Sequence, residues 1–309
     1  MLSSLCFTNQ SRPIRIYVIQ DEVPEEALKK LSHSLIHPDL SLHFIDAAHS
    51  LFSKLELPLF RGSYATYFRL IISELLPPTE QKVLYLDSDT LILDKLDELF
   101  DLSLQDFYLA AVPDQHINYR FKDSKFTHGL FKNSQGLQNG LAFNAGVLLI
   151  NLEKWRKDEF SKTLLMYGHN YRNQIRVADQ DILNLGIGEQ WLHLKERWNV
   201  QTPTYYRQGK MTLKVSHSEY MEIIRNPGIV HFTTETGRPW DNRCDHPYKK
   251  LFKYFFNQTE WKDSNFIESP KGSDLFPLFL KCLKNCLVMR PWLGQNWSGS
   301  WLKKQMRPL

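Results

Sequence analysis

The sequence predicts an α/β protein, an open and mostly parallel sheet covered by helices. Three observations lead there. Segments with the composition of strands alternate with segments of helical period through the first third of the chain. The apolar run at residues 83–86 reads as a strand buried on both faces, and residues 143–152 read as a second buried strand. The residues with chemical potential, Asp87 and Asp89 first among them, follow directly on strand ends, where such a sheet places its ligand site.

Taken in order, residues 2–9 read as the tail of a helix and residues 14–19 as a strand. Residues 23–33 have Pro24 near their start and Leu28 and Leu31 three apart, which predicts a helix. Residues 41–46 follow as a second strand. In residues 64–76 the residues Ala65, Phe68, Ile72 and Leu76 line one helical face, and Pro77 to Glu80 is a turn before the strand at 83–86. A strand-like stretch at 108–112 runs into Asp114, Gln115 and His116. Residues 122–140 are polar, contain glycine and lack a period, and a loop of that length is more often functional than inert. A helix opens at Leu152, another follows Asp179, and the stretch from Trp198 through Tyr220 reads as the wall of a second lobe. Residues 227–232 are a short strand containing His231, and residues 251–256 an aromatic helix.

The bulk properties narrow the function. A chain of 309 residues is long enough for a substantial core, and 42% hydrophobic with 23% charged residues describes a folded globular protein. No apolar run approaches the ~18 residues of a membrane span, and the N-terminus lacks a basic region followed by an apolar core, so a cytoplasmic location is expected. The four cysteines, Cys6, Cys244, Cys282 and Cys286, are too scattered for a disulfide framework, and the last two lack a matching pair for zinc. The formal net charge of +4 does not suggest nucleic acid.

The chemistry concentrates at Asp87-Ser88-Asp89. If the strand continues through these residues, its period of two points both carboxylates to one side, and two like charges held together need a cation or protons between them. A divalent metal is the simplest answer; the alternative is a polar turn after a strand. Asn144 precedes Ala145 and Gly146, where a ligand could approach the backbone closely or a strand simply enters through a small-residue bend. Asp179 and Asp181 flank Gln180. An N-cap and a first-turn acid account for the two acids but leave Gln180 unexplained. His231 ends a strand, usually a structural position, but Gly237 and Arg238 follow close behind.

In this order, LDSDT, FNAGVLLINLEKWR, ADQDILN, IVHF and GRPW resemble the retaining glycosyltransferases of family 8, over about residues 14–261. The resemblance implies a GT-A fold, a Rossmann-like nucleotide-sugar-binding mixed sheet flanked by helices, in a catalytic domain at residues 1–265. It implies a UDP-hexose donor, a saccharide or glycolipid acceptor, and Mn²⁺ (or Mg²⁺) held by Asp87, Asp89 and His231. Two carboxylates, an imidazole and phosphate oxygens suit such a cation. Arg238 and the backbone of Gly237 would meet the diphosphate, where family members more often carry Lys, and Ser88 sits between the acids. Arg69 matches the arginine that reaches the donor, and Asn144, Ala145, Asp179 and Gln180 match positions around the transferred sugar. Gln180 would lie on the sugar face opposite the leaving group.

Two departures qualify the resemblance. Family members begin with a strand and an acid-bearing turn for the nucleoside, and this chain has no counterpart, which would leave two buried edges facing a gap. The expectation is a start that lies upstream of Met1 or a truncated, impaired copy acting as a glycan- or nucleotide-binding remnant. At the other end, residues 266–309 form a basic extension. From Leu275 onward it has no acid, and Lys281, Lys284, Arg290, Lys303, Lys304 and Arg307 are interleaved with Trp292, Trp297 and Trp301. That composition suits a peripheral contact with anionic lipid; a helix packed on the catalytic domain is the plainer alternative.

Overall fold

The structure, a computed structural model, describes residues 1–47, 50–60, 62–115, 141–206, 213, 215–233 and 238–263. The 122–140 loop, Gly237, Cys282, Cys286 and the basic extension lie outside the described residues.

Among the described residues nine strands form three sheets: β1 (Ile14–Gln20) with β2 (Leu40–Asp46); β3 (Lys82–Leu86), β6 (Phe143–Asn151), β5 (Leu109–Pro113) and β7 (Trp191–His193) in that spatial order; and β4 (Thr90–Ile92), β9 (Ile229–His231) and β8 (Val200–Gln201). β6 is buried along nearly its whole length because it has strands on both edges and apolar layers on both faces. Leu148 and Ile150 point into one layer, with Phe68, Trp155, Leu164 and Ile182, while Val147 and Leu149 point into the other, with Leu5, Leu99 and Trp198. A third cluster gathers β4, β9 and the helices His217–Arg225 and Lys249–Phe256 around Phe232 and Tyr248.

Several expectations change. The central sheet is mixed, as the resemblance implied, and not mostly parallel as the alternation predicted, since β6 runs antiparallel to both β3 and β5 and β7 joins β5 in parallel. β3 is half-buried rather than enclosed, because among the described residues it has a ladder on its β6 edge alone. The predicted helix at 64–76 is a 3-10 helix, Ala65–Ile71, followed by one α-turn, Ile72–Leu75, and it buries Tyr67, Phe68, Arg69 and Leu70 consecutively. Three residues per turn suit a short segment that inserts a cation as well as an apolar face. Of the stretch expected to wall a second lobe, the described residues form two 3-10 turns, Glu196–Asn199 and Thr202–Tyr205, flanking β8, and the start of the helix His217–Arg225; Trp198 packs in the second layer, Tyr205 and Tyr220 in the third cluster.

β1 and β3 stand in an unusual relation. Tyr17 and Ile19 of β1 join the same apolar layer as Val83 and Tyr85 of β3, while Ile14, Ile16 and Val18 join the layer of Leu84 and Leu86. The two strands thus continue one pair of core layers, yet among the described residues no ladder connects them. Side chains bridge instead: Glu80 accepts from the hydroxyl of Tyr17 at 3.0 Å and pairs with Arg15.

Candidate active site

The acids sit at a turn, and the turn brings them together. β3 ends at Leu86, the amide of Thr90 donates to the carbonyl of Asp87 at 3.2 Å, and β4 begins at Thr90. The extended geometry expected through Asp89 is therefore absent, and the polar-turn and converging-carboxylate readings describe the same residues. Ser88 lies exposed at the tip. The β4–β9 ladder pairs Thr90 with His231, so strand register delivers the imidazole to the acids. One ligand atom from each of Asp87, Asp89 and His231 lies within 4.8 Å of the others. His231 Nε2 is 3.3 Å from Asp89 Oδ1 and 3.7 Å from Asp87 Oδ2.

Arginines balance the two carboxylates, so the charge argument for a cation does not stand alone. Arg69 donates to Asp87 Oδ1 at 2.8 Å and also lies 3.0 Å from Asp179 Oδ2, stacked over the Tyr85 ring. Arg238 pairs with Asp89. Burial works against ionisation of Asp87, but Arg69, His231 and the Tyr85 hydroxyl outweigh it and hold the carboxyl below the usual carboxylate range. Burial lowers the pKa of His231, only partly opposed by Asp87 and Asp114, which favours the neutral imidazole that a metal requires. The donor set, two carboxylates and a neutral imidazole converging on one point, fits a divalent cation such as Mn²⁺ or Mg²⁺.

The NAG segment serves the imidazole. A Cβ on Gly146 would lie 2.0 Å from His231 Cε1, so it is the histidine ring that approaches the backbone here. Asn144 and Ala145 face inward, Arg69 donating to the Ala145 carbonyl. Gln180 is held at both ends, accepting from Ala145 N at 2.9 Å and donating to Asp114 Oδ2 at 3.1 Å. It lies in the first turn of the helix Ala178–Ile187, whose first residue, Ala178, takes a left-handed φ of 47°, a strained conformation that such sites tolerate. Asp179 is no N-cap: it pairs with Arg69 and accepts from the Thr66 hydroxyl. Burial raises its pKa to about 6, with Arg69 and Thr66 opposing the rise. Asp181 accepts from the amides of Arg176 and Val177 at 2.7 and 2.8 Å and so braces the turn before the helix.

The sequence reading gave no site role to Asp114 or Asn199. Asp114 follows the strand-like stretch 108–112, the kind of strand-end position that marked Asp87. Asn199 carries no such signal, because it sits in a turn that only the β8–β9 pairing brings to His231.

The profile of glycosyl transferase family 8 matches residues 1–244. The chain belongs to that family. General stress protein A of Bacillus subtilis is 26% identical across 84% of this chain and 88% of its own length. The lipopolysaccharide 1,2-glucosyltransferase of Escherichia coli K12 is 27% identical across 75% of this chain and 64% of its own. A crystal structure of the galactosyltransferase LgtC with donor and acceptor sugar analogs aligns at a TM-score of 0.69 and 26% identity, over 85% of this chain and 95% of that one. This family 8 protein is thus a glycosyltransferase with a GT-A type fold. No helix among its described residues is long and apolar enough to cross a membrane.

Proposed function

We propose that the protein is a retaining, divalent-metal-dependent hexosyltransferase that moves glucose or galactose from a UDP-sugar to a saccharide acceptor of a surface glycan or lipopolysaccharide. The convergence of Asp87, Asp89 and His231 at the end of β3 carries this reading. The names of the relatives supply the acceptor class, and because a glucosyltransferase and a galactosyltransferase are both among them, the hexose stays open.

Asp87, Asp89 and His231 would hold Mn²⁺ or Mg²⁺, which would supply Lewis-acid stabilisation to the departing nucleoside diphosphate. Arg238, with the backbone of Gly237, neutralises further phosphate charge. Arg69 keeps Asp87 ionised, and Asp179 helps hold Arg69 in place beneath the donor. Asn144, Ala145 and Gln180 form the floor under the transferred sugar. An amide is a poor nucleophile, and both ends of Gln180 are already bonded, so its role is electrostatic support of an oxocarbenium-like transition state. The acceptor hydroxyl then attacks from the leaving-group side, and the leaving phosphate takes its proton.

UDP-glucose and UDP-galactose hydrolysis with and without Mn²⁺ tests this. Metal-dependent release of UDP from either donor is expected; absence of release from both would leave a non-catalytic glycan- or nucleotide-binding protein. That no ladder joins β1 and β3 among the described residues is the observation that favours this second reading. The basic, Trp-containing residues 275–309 support a further proposal, peripheral binding to the inner face of a membrane rich in anionic lipid. Removing them should abolish sedimentation with anionic vesicles while transfer to a soluble acceptor survives, and unchanged sedimentation would refute it.

A further inference from the structure

Behind the three metal-site residues lies a connected set of buried polar groups: Asp114, Asn144, Gln180 and Asn199, all within the main body and none more than 7% exposed. Their donor and acceptor ends can be assigned without ambiguity, because backbone N–H groups, which only donate, fix two of the amides. Gly146 N donates to Asn144 Oδ1 at 3.0 Å, and Ala145 N donates to Gln180 Oε1 at 2.9 Å. Each side chain's NH₂ therefore faces the other way, and both donate to Asp114 Oδ2, at 2.9 Å from Asn144 and 3.1 Å from Gln180.

The polarity then propagates. Asn144 Oδ1 also accepts from Asn199 Nδ2 at 2.9 Å, so the other end of the Asn199 amide, its carbonyl oxygen, is the atom that meets His231 Nδ1 at 3.0 Å. A carbonyl oxygen can only accept, so Nδ1 carries the hydrogen. In a neutral imidazole the other nitrogen, Nε2, is then left with its lone pair, and Nε2 is the atom directed at Asp87 and Asp89. Asn199 reaches this position because it immediately precedes β8, whose parallel register sets Val200 beside Val230 and Gln201 beside His231. The Gly146 backbone lies against the same ring at Cε1, between the two nitrogens, and limits its movement.

We propose that Asn199 is a positioning residue that fixes His231 in the Nδ1–H tautomer and so presents Nε2 to a divalent cation, with Asp114 and Asn144 setting the orientation of Asn199. The cation rests on the function proposed above; the tautomer does not. Groups bonded behind a metal-ligating histidine orient the ring and raise its basicity, and their loss weakens metal binding. The same set reaches Gln180, so the metal site and the floor beneath the sugar share one anchor, Asp114.

Nitrogen NMR of the metal-free protein with labelled histidine, its His231 signals assigned by their loss in His231→Asn, reads the tautomer directly. A hydrogen on Nδ1 is expected; an unprotonated Nδ1 overturns the proposal. Titration with Mn²⁺ alone, without donor, reads the consequence. Asn199→Leu should weaken Mn²⁺ binding by about 10–100-fold. Wild-type affinity in a folded Asn199→Leu protein overturns the proposal, and the NMR measurement decides it alone if that variant does not fold. Failure of the unaltered protein to bind Mn²⁺ would instead overturn the metal reading, before any substitution is made.

Discussion

The β1–β2 pair and the central sheet are built from similar apolar strand sequences and reach different states. β6 has a strand on each edge and an apolar layer on each face, and it buries every residue but its last. In β1 only Ile16 is buried, and in β2 no residue is. β1 touches both core layers, but among the described residues it has a ladder on one edge only, and a strand at the margin of the core loses less water-exposed surface, whatever its composition. The polar groups of the site belong to the well-packed region, where the backbone is paired and side-chain rotamers are confined. The N-terminal pair is joined to the central sheet through side chains such as Tyr17 and Arg15 on Glu80. Catalytic precision resides on rigid elements, and here those elements are β3, β4, β6 and β9.

That contrast can be tested by substitutions on each side. The largest effect should come from Asp89→Ala, which is expected to lower transfer by about 10³-fold or more while the protein stays folded. Retained turnover at saturating Mn²⁺ would remove the site from the reaction. Gly146→Ala should follow, because the new methyl meets the His231 ring. Overpacking of this kind costs about 1–3 kcal/mol by denaturant unfolding, and activity should fall further as the ring is displaced. Gln180→Ala should slow turnover by roughly 10²-fold with little change in donor binding, and wild-type turnover would refute its supporting role.

The pH dependence of stability comes next. Folded Asp179 titrates at about 6 against 3.8 for the ordinary group, so the folded state holds this proton more tightly than the unfolded one. Its contribution is greatest below the unfolded value and is lost as pH rises through about 6, an effect of a few kcal/mol. Asp179→Asn should therefore gain stability relative to wild type on going from the acid to the neutral side of that window, and parallel profiles would contradict the assignment. The smallest shift should come from Arg15→Ala, whose partner contact is solvent-exposed. A large drop in the denaturation midpoint there would mean that the β1–β2 pair is more integral than its burial implies.

Much of the site was legible because its residue types are chemically rare in their surroundings. Two acids after an apolar run, a glutamine between acids and a histidine at a strand end are hard to explain by packing alone. Their partners were less visible. Asn199 sits in an unremarkable turn, and Arg69, named through the family resemblance, lies within an apolar segment whose period read as one helix. The parallel-sheet expectation failed for a related reason: an apolar run states that a strand is covered but not which way its neighbours run.

The sequence by itself determined the family, the alternation of strands and helices, and the identities of Asp87, Asp89, His231 and Gln180, because those depend on local pattern and on side-chain chemistry. Only the tertiary structure decided that the acids converge through a turn, that Gly146 makes room for an imidazole rather than a ligand, and that Asn199 meets His231. Each of these depends on strand register between segments far apart in the chain, and register is set by the packing of the whole core rather than by any one stretch of residues.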